Sequence, residues 1–179
     1  GAMCVGAALA LSGATYQGVF RNPLVSPDLL GVSAGACVGA ASAILLHTGR
    51  ASLQVMALAT GLAAVALATF IPRLLRNTST MTLILSGVIV AGLMNSTLGL
   101  FKYIADPETE IADITYWMMG SFSLIKGSEL LMVAPVMALA ATILFAIRWR
   151  INLLSLGDQQ AKSLGVSLRS TRLTTIVCS

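Results

Sequence analysis

Charge is what this sequence has least of. Acidic and basic side chains make up only 10% of the 179 residues while hydrophobic ones make up 56%, whereas a soluble domain is usually about a quarter charged. A globule surrounded by water is excluded on that count, and the chain reads as a membrane protein. Histidine occurs once, at His47, so an imidazole metal site or a serine nucleophile would have to depend on that one ring. The three cysteines, Cys4, Cys37 and Cys178, sit in apolar stretches without C-x-x-C spacing, which argues against a zinc or redox site. They are expected as small buried residues. There is no G-x-x-x-x-G-K-[ST] run, so no P-loop in this segment supplies the energy for whatever the protein does. Catalytic, cofactor-binding and metal-binding residues are all expected to be absent, as is a nucleic-acid partner, and the chain is read as a non-enzyme.

Long apolar runs are what is there instead. Five of them lie near Gly1 to Phe20, Leu29 to His47, Leu53 to Pro72, Thr82 to Ile104, and Ser128 to Ile147. Each has the length of about 20 residues that a helix needs to cross a hydrocarbon core of roughly 30 Å. The expected fold is all-α, a polytopic membrane helix bundle with about five transmembrane helices. Between the fourth and fifth runs lies the polar segment DPETEIADI, followed by TYWMMGSFS. The latter is too short to span and is read as an interfacial or re-entrant helix, with Tyr116 and Trp117 at the interface.

Orientation follows from the loops. One side collects Arg21, Arg73, Arg76, Arg148, Arg150, Lys162, Arg169 and Arg172, the other only Arg50, Lys102 and Lys126, and the richer side faces the cytoplasm. The chain opens inside an apolar run and closes on LTTIVCS, the beginning of a sixth. A single transmembrane domain over residues 1–179, incomplete at both ends, is the expectation.

Small residues recur every fourth position. The first run carries Gly6, Ala10, Ala14 and Gly18, with Gly13 beside them, and the second carries Gly31, Gly35, Gly39 and Ala43. Residues four apart share a helix face, and small faces let helix backbones approach closely in lipid. Gly6, Gly13, Gly18, Gly31, Gly35 and Gly39 are therefore assigned to helix packing. Gly31-Val32-Ser33-Ala34-Gly35 also matches the G-x-S-x-G nucleophile elbow, which requires a strand before it. No strand precedes it, and His47 lies fourteen residues on, about 21 Å along one helix and far beyond hydrogen-bond reach. Ser33 is read as a small residue and His47 as a cap on the outer end of its span. The triplets Asn77-Thr78-Ser79 and Asn95-Ser96-Thr97 match the glycosylation pattern, but one falls in a cytoplasmic loop and the other within a span. The uncharged polar residues Gln17, Thr15, Asn95, Ser96 and Thr97 suit either interhelical hydrogen bonds or a route for a bulky solute. Gln17 and Asn95 are kept as pathway candidates.

Outside the membrane the most informative stretch is LLSLGDQQAKSLGV. Ser155 stands three residues before Asp158 in the capping-box relation, Gly165 supplies a stop, and Asp158 with Lys162 forms an i, i+4 pair. A cytoplasmic helix of about nine residues follows, too short to be stable alone in water. Spacing leaves open whether it packs on its own bundle or on a separate partner.

GAALALSGATYQGVFRNPLVSPDLLGVSAGA, then YWMMGSFS, then NLLSLGDQQAKSLGV, in this order, resemble the FecCD family of ABC-transporter permeases, the class that includes iron-siderophore and vitamin B12 permeases. The resemblance implies ten transmembrane helices per subunit, of which this chain would supply the second to sixth and the start of the seventh. It also implies a second permease subunit, a cytoplasmic ABC ATPase, a periplasmic substrate-binding protein and a multi-pass location in the bacterial inner membrane. On that resemblance residues 155–166 are a coupling helix that docks on the ATPase, through Ser155, Leu156, Gly157, Asp158, Gln159, Ala161, Lys162, Leu164 and Gly165. Asn22, Pro23 and Leu24 correspond to one cytoplasmic gate, and Thr80 and Met81 to a second, where Met81 replaces a small polar residue of the vitamin B12 permease. The implied cargo is an iron-siderophore complex, with haem and cobalamin as the other family choices. The competing classes are a secondary transporter, a structural membrane subunit and an intramembrane enzyme. The first would need inverted repeats and a membrane-buried charge, and the second has no use for a capped cytoplasmic helix.

Overall fold

The computed structural model describes residues 1–76, 79–121 and 127–179, without the side chains of Ser128, Glu129 and Arg169. Asn77 and Thr78 of the first glycosylation triplet, Lys126 of the outer basic set and the end of TYWMMGSFS lie outside the described residues. Among the described residues every regular element is helical. They are α1 (Ala2–Phe20), a 3-10 turn at Pro27–Leu30, α2 (Val32–Leu45), α3 (Arg50–Leu74), α4 (Thr80–Ile104), α5 (Glu110–Met119), α6 (Gly127–Leu156), α7 (Asp158–Ser163) and α8 (Leu168–Cys178). A chain this apolar must pair its own backbone groups, and in lipid a helix does so within a single segment. The fold is the all-α polytopic membrane bundle expected. Helices α1, α3, α4 and the Leu130–Leu156 part of α6 are long and apolar enough to cross a membrane.

The second expected span is shorter than its apolar run. Helix α2 has 14 residues, about 21 Å of rise against a core of roughly 30 Å. Local geometry trims it at both ends. The Gly31 N–H, at a residue with φ 75, closes a 3-10 turn on the Asp28 carbonyl at 2.9 Å, and Asp28 Oδ1 accepts the N–H of Ser33 at 3.0 Å. At the far end His47 turns left-handed at φ 49. Four spans and one short apolar helix therefore replace five equal ones. Helix α5 begins at Glu110, inside the polar segment, after a turn that the Asp106 and Glu110 carboxylates hold. Helix α6 continues beyond Ile147 to Leu156.

The chain forms two compact units, Gly1–Pro27 with Phe122–Ser179, and Asp28–Ser121. In the second, α2 packs on α3 and α4 through backbone-to-backbone contact. A Cβ built on Gly35 would lie 2.7 Å from Ala64 Cβ and 2.8 Å from the Thr60 carbonyl, and one on Gly39 would overlap Thr60 Oγ1 and the Met56 carbonyl. Gly31 is doubly constrained, since its positive φ excludes most side chains and a Cβ there would lie 3.1 Å from the Ala91 backbone. The facing stripe on α3 is Ala57, Gly61, Ala64 and Ala68, all buried. At the other end of this unit, Ala41, Leu98, Ala105 and Ile114 form an apolar cluster joining α2, α4 and α5.

In the first unit α1 packs on α6 and α8, with only Gly18 of its glycine stripe against a neighbouring helix. The buried face is Ser12, Thr15, Tyr16, Val19 and Phe20, with the Tyr16 and Phe20 rings stacked at 5.5 Å. Large side chains on that face bury more apolar area than a flat one would. Gly18 would meet Ile151 at 3.6 Å, Gly13 only Pro27 at 3.9 Å, and Gly6 nothing within 4 Å. Within this unit the Gly6 position meets no described neighbour. The cysteines differ from the expectation of burial, with Cys4 exposed and Cys37 and Cys178 only half-buried, because Cys4 lies at the exposed start of α1.

Candidate functional site

Two chain segments far apart in sequence meet at the end of α1. The N–H groups of Arg21 and Asn22 both donate to the Gln17 carbonyl, which stops the helix with Arg21 left-handed at φ 52. Asn22 then builds a turn, as asparagine commonly does. Its Oδ1 accepts the N–H of Leu24 at 2.9 Å and its carbonyl accepts that of Val25 at 3.2 Å. Pro23, whose ring presets φ for such a turn, and Leu24 form the exposed tip, while Val25 folds back and is buried.

The second segment follows α6. Ser155 remains inside α6 and its hydroxyl donates to the Asn152 carbonyl at 2.6 Å, so the expected capping box does not form. Gly157 occupies the N-cap position instead, and α7 has six residues rather than about nine. Its other end is closed as a Schellman motif, with the N–H of Val166 on the Ala161 carbonyl at 3.0 Å and that of Gly165, at φ 80, on the Lys162 carbonyl at 3.0 Å. Ala161 is fully buried, whereas Leu156, Gln159, Lys162 and Leu164 are exposed. One side of α7 thus rests on α6 and α8 and the other is open.

Asp158 holds these segments together. Its Oδ1 lies 3.1 Å from Arg21 Nη2 and 2.8 Å from Arg172 Nη2 on α8. These two guanidinium groups, rather than Lys162, are its ion-pair partners among the described residues. Planar, weakly hydrated guanidinium is better suited than ammonium to a shared, half-buried carboxylate. Arg21 and Arg172 entered the sequence reading only as topology charges. The signal available was the position of Arg21 directly before Asn-Pro-Leu.

The other site candidates lie in the second unit or stand apart. Ser79 Oγ accepts the N–H of Thr82 at 3.2 Å and so caps α4, making Thr80 and Met81 its first two residues, Thr80 half-buried and Met81 exposed. They share a unit neither with Asn22, Pro23 and Leu24 nor with α7. Gln17 and Asn95 are exposed on α1 and α4, one in each unit. Ser33 is exposed at the start of α2 with its N–H on Asp28. His47 Nε2 lies 3.5 Å from Glu110 Oε1, linking the end of α2 to the start of α5. Among the described residues no group of three or more His, Cys, Asp or Glu could hold a metal ion. The hydroxyl of Ser86, buried between α3 and α4, escaped the sequence reading altogether.

The turn before α5 carries a perturbed carboxylate. Asp106 accepts the N–H groups of Glu108 at 2.9 Å and Thr109 at 3.1 Å and the Thr109 hydroxyl at 3.2 Å. These bonds, the Glu108 amide foremost, hold its carboxyl below the usual aspartate range. Glu110 Oε2 reaches back to the Asp106 N–H at 2.8 Å, so the two carboxylates cap the turn reciprocally.

Comparison with known proteins matches one family along the whole length. The FecCD transport family matches residues 1–179. The molybdate import system permease protein MolB of Haemophilus influenzae is 38% identical over 178 residues, which is 99% of this chain and 53% of that protein. A Helicobacter pylori protein named "Probable iron chelatin transport system permease protein" is 38% identical over 179 residues, 99% of this chain and 53% of its own length. A solved structure described as an inward-facing conformation of a metal-chelate type ABC transporter superposes with a TM-score of 0.90 at 38% identity, covering 99% of this chain and 57% of that one. The chain spans about half the length of the curated relatives it matches.

Proposed function

This chain belongs to the FecCD transport family, a family of transport permeases, and on that premise we propose that it is part of the membrane-spanning permease subunit of an ABC importer. The importer carries a metal chelate, an iron-siderophore complex first and haem or cobalamin after it, from periplasm to cytoplasm across the bacterial inner membrane. The observation that carries this reading is α7, a six-residue helix too short to persist alone. It is held at its start by Asp158 and by the buried Ala161, and it leaves Leu156, Gln159, Lys162 and Leu164 outward. Exposed leucines flanked by polar side chains suit docking on a cytoplasmic ATPase. Closure of that ATPase on ATP moves α7, and the bundle tilts to open or shut the gates at Asn22, Pro23 and Leu24 and at Thr80 and Met81. A periplasmic binding protein delivers the cargo and a second permease subunit completes the pathway. The iron chelate is preferred over molybdate, whose permease is equally similar, because one relative is named for an iron chelate and the matching solved structure for a metal chelate.

Co-purification of the full-length permease with an ATPase in mild detergent tests the assembly. A secondary transporter or a purely structural subunit would bring none down. Uptake of labelled ferric siderophore against labelled molybdate and cobalamin, by the full transporter in proteoliposomes, tests the cargo.

A further inference from the structure

The gate turn and the coupling helix, as read above, are joined by a single carboxylate oxygen. Arg21 immediately precedes Asn22, and Asp158 is the first residue of α7, yet the two are 137 positions apart and 3.1 Å distant. Both ends of the link have fixed backbones. Arg21 is pinned where α1 stops on the Gln17 carbonyl, and Asp158 where α7 starts, its helix closed five residues later by the Schellman bonds. A Cβ placed on Gly157 would lie 3.6 Å from Arg21 Nη1, so the guanidinium covers the α6–α7 junction as well as the carboxylate. Arg172, less exposed than either partner, shares the same oxygen from α8 and limits the rotation of Asp158. A lone exposed pair does little, but a pair whose backbones are both held, and which a third group locks, moves as one piece.

We propose that Arg21 and Asp158 form the strut that carries displacement of α7 to the Asn22–Leu24 turn, with Arg21 as a positioning residue that touches neither cargo nor ATPase. This rests on the gate and coupling reading of the previous subsection. The full-length permease, assembled with its ATPase in proteoliposomes, can be given a reporter by Leu24→Cys and labelled with a maleimide in the presence and absence of ATP and vanadate. Arg21→Met should leave ATPase association intact while the nucleotide-dependent change in labelling falls at least about fivefold, the lower end of usual couplings between sites. Arg21→Lys should recover part of it. Asp158→Asn, which also releases Arg172, should lower the same change at least as much, and the double variant should be no worse than Asp158→Asn alone, since the Arg21 link is already gone in it. Full retention of the change in Arg21→Met, or independent multiplication of the two losses, overturns the strut. Absence of any nucleotide response with Arg21 intact overturns the gate reading beneath it, and the strut falls with that reading.

Discussion

The hydroxyl of Ser86 on α4 donates to the carbonyl of Ala68 on α3 at 2.6 Å, and Ala68 is four residues before Pro72. In a regular helix that carbonyl would receive the N–H of residue 72, which proline lacks. The Ser86 hydroxyl also reaches the Leu83 carbonyl on its own helix at 2.7 Å. The serine thus satisfies the acceptor that the proline leaves empty, and in doing so ties α4 to α3.

Ser86→Ala should destabilise the full-length permease by about 1–2 kcal/mol, since a buried carbonyl loses its donor and interhelical bonds in membranes are of that order or below. Pro72→Ala restores the helical N–H. In that background Ser86→Ala should cost markedly less. A double-mutant cycle of thermal unfolding in detergent checks this, and equal costs in both backgrounds would separate the serine from the proline.

Gly39→Ala should destabilise by about 1–3 kcal/mol, the usual range for overpacking, because its methyl group would overlap Thr60 and the Met56 carbonyl. Gly6→Ala should be neutral or stabilising by up to about 1 kcal/mol, since alanine is the better helix former and nothing lies within 4 Å. The same unfolding assay compares them. A loss at Gly6 as large as that at Gly39 would place the α1 stripe against a helix beyond the present chain.

The turn before α5 should depend on pH. The native Asp106 pKa is depressed, first by the Glu108 amide, so its contribution is full above the usual aspartate value and is lost as pH falls through the lowered native one. Amide exchange at Glu108 and Thr109 should stay slow to below the usual aspartate range and then rise. Asp106→Asn should abolish that transition, and an unchanged pH profile in the variant would contradict the assignment.

Asp28→Ala should cost about 1 kcal/mol, as loss of a capping carboxylate does, because its Oδ1 serves the Ser33 N–H at the start of α2. Ser33→Ala should change stability by no more than about 0.5 kcal/mol, and a fluorophosphonate probe should leave Ser33 unmodified. Heavy labelling of that serine would reopen the hydrolase reading.

What could be read in advance followed from interactions local in sequence. The apolar runs announced the spans because run length must match bilayer thickness, and the α2 glycines announced a close helix pair because periodicity places them on one face. Local pattern also misled. Ser155 and Asp158 have capping-box spacing, yet Ser155 stays in α6, because its hydroxyl finds a carbonyl within its own turn. The α1 glycines have the same period as those of α2, but the neighbours in their unit engage Tyr16 and Val19 instead. Periodicity defines a face without saying which face a neighbour takes.

Composition and periodicity alone were enough to indicate an all-helical membrane bundle and a short helix near Asp158, since each depends on residues within a few turns of one another. Pairings across the chain depended on the folded arrangement. Nothing in the order of residues links Arg21 to Asp158, or Ser86 to the carbonyl left open by Pro72. Those partners are selected by which helices pack together, and packing is decided by the summed fit of many side chains rather than by any one motif.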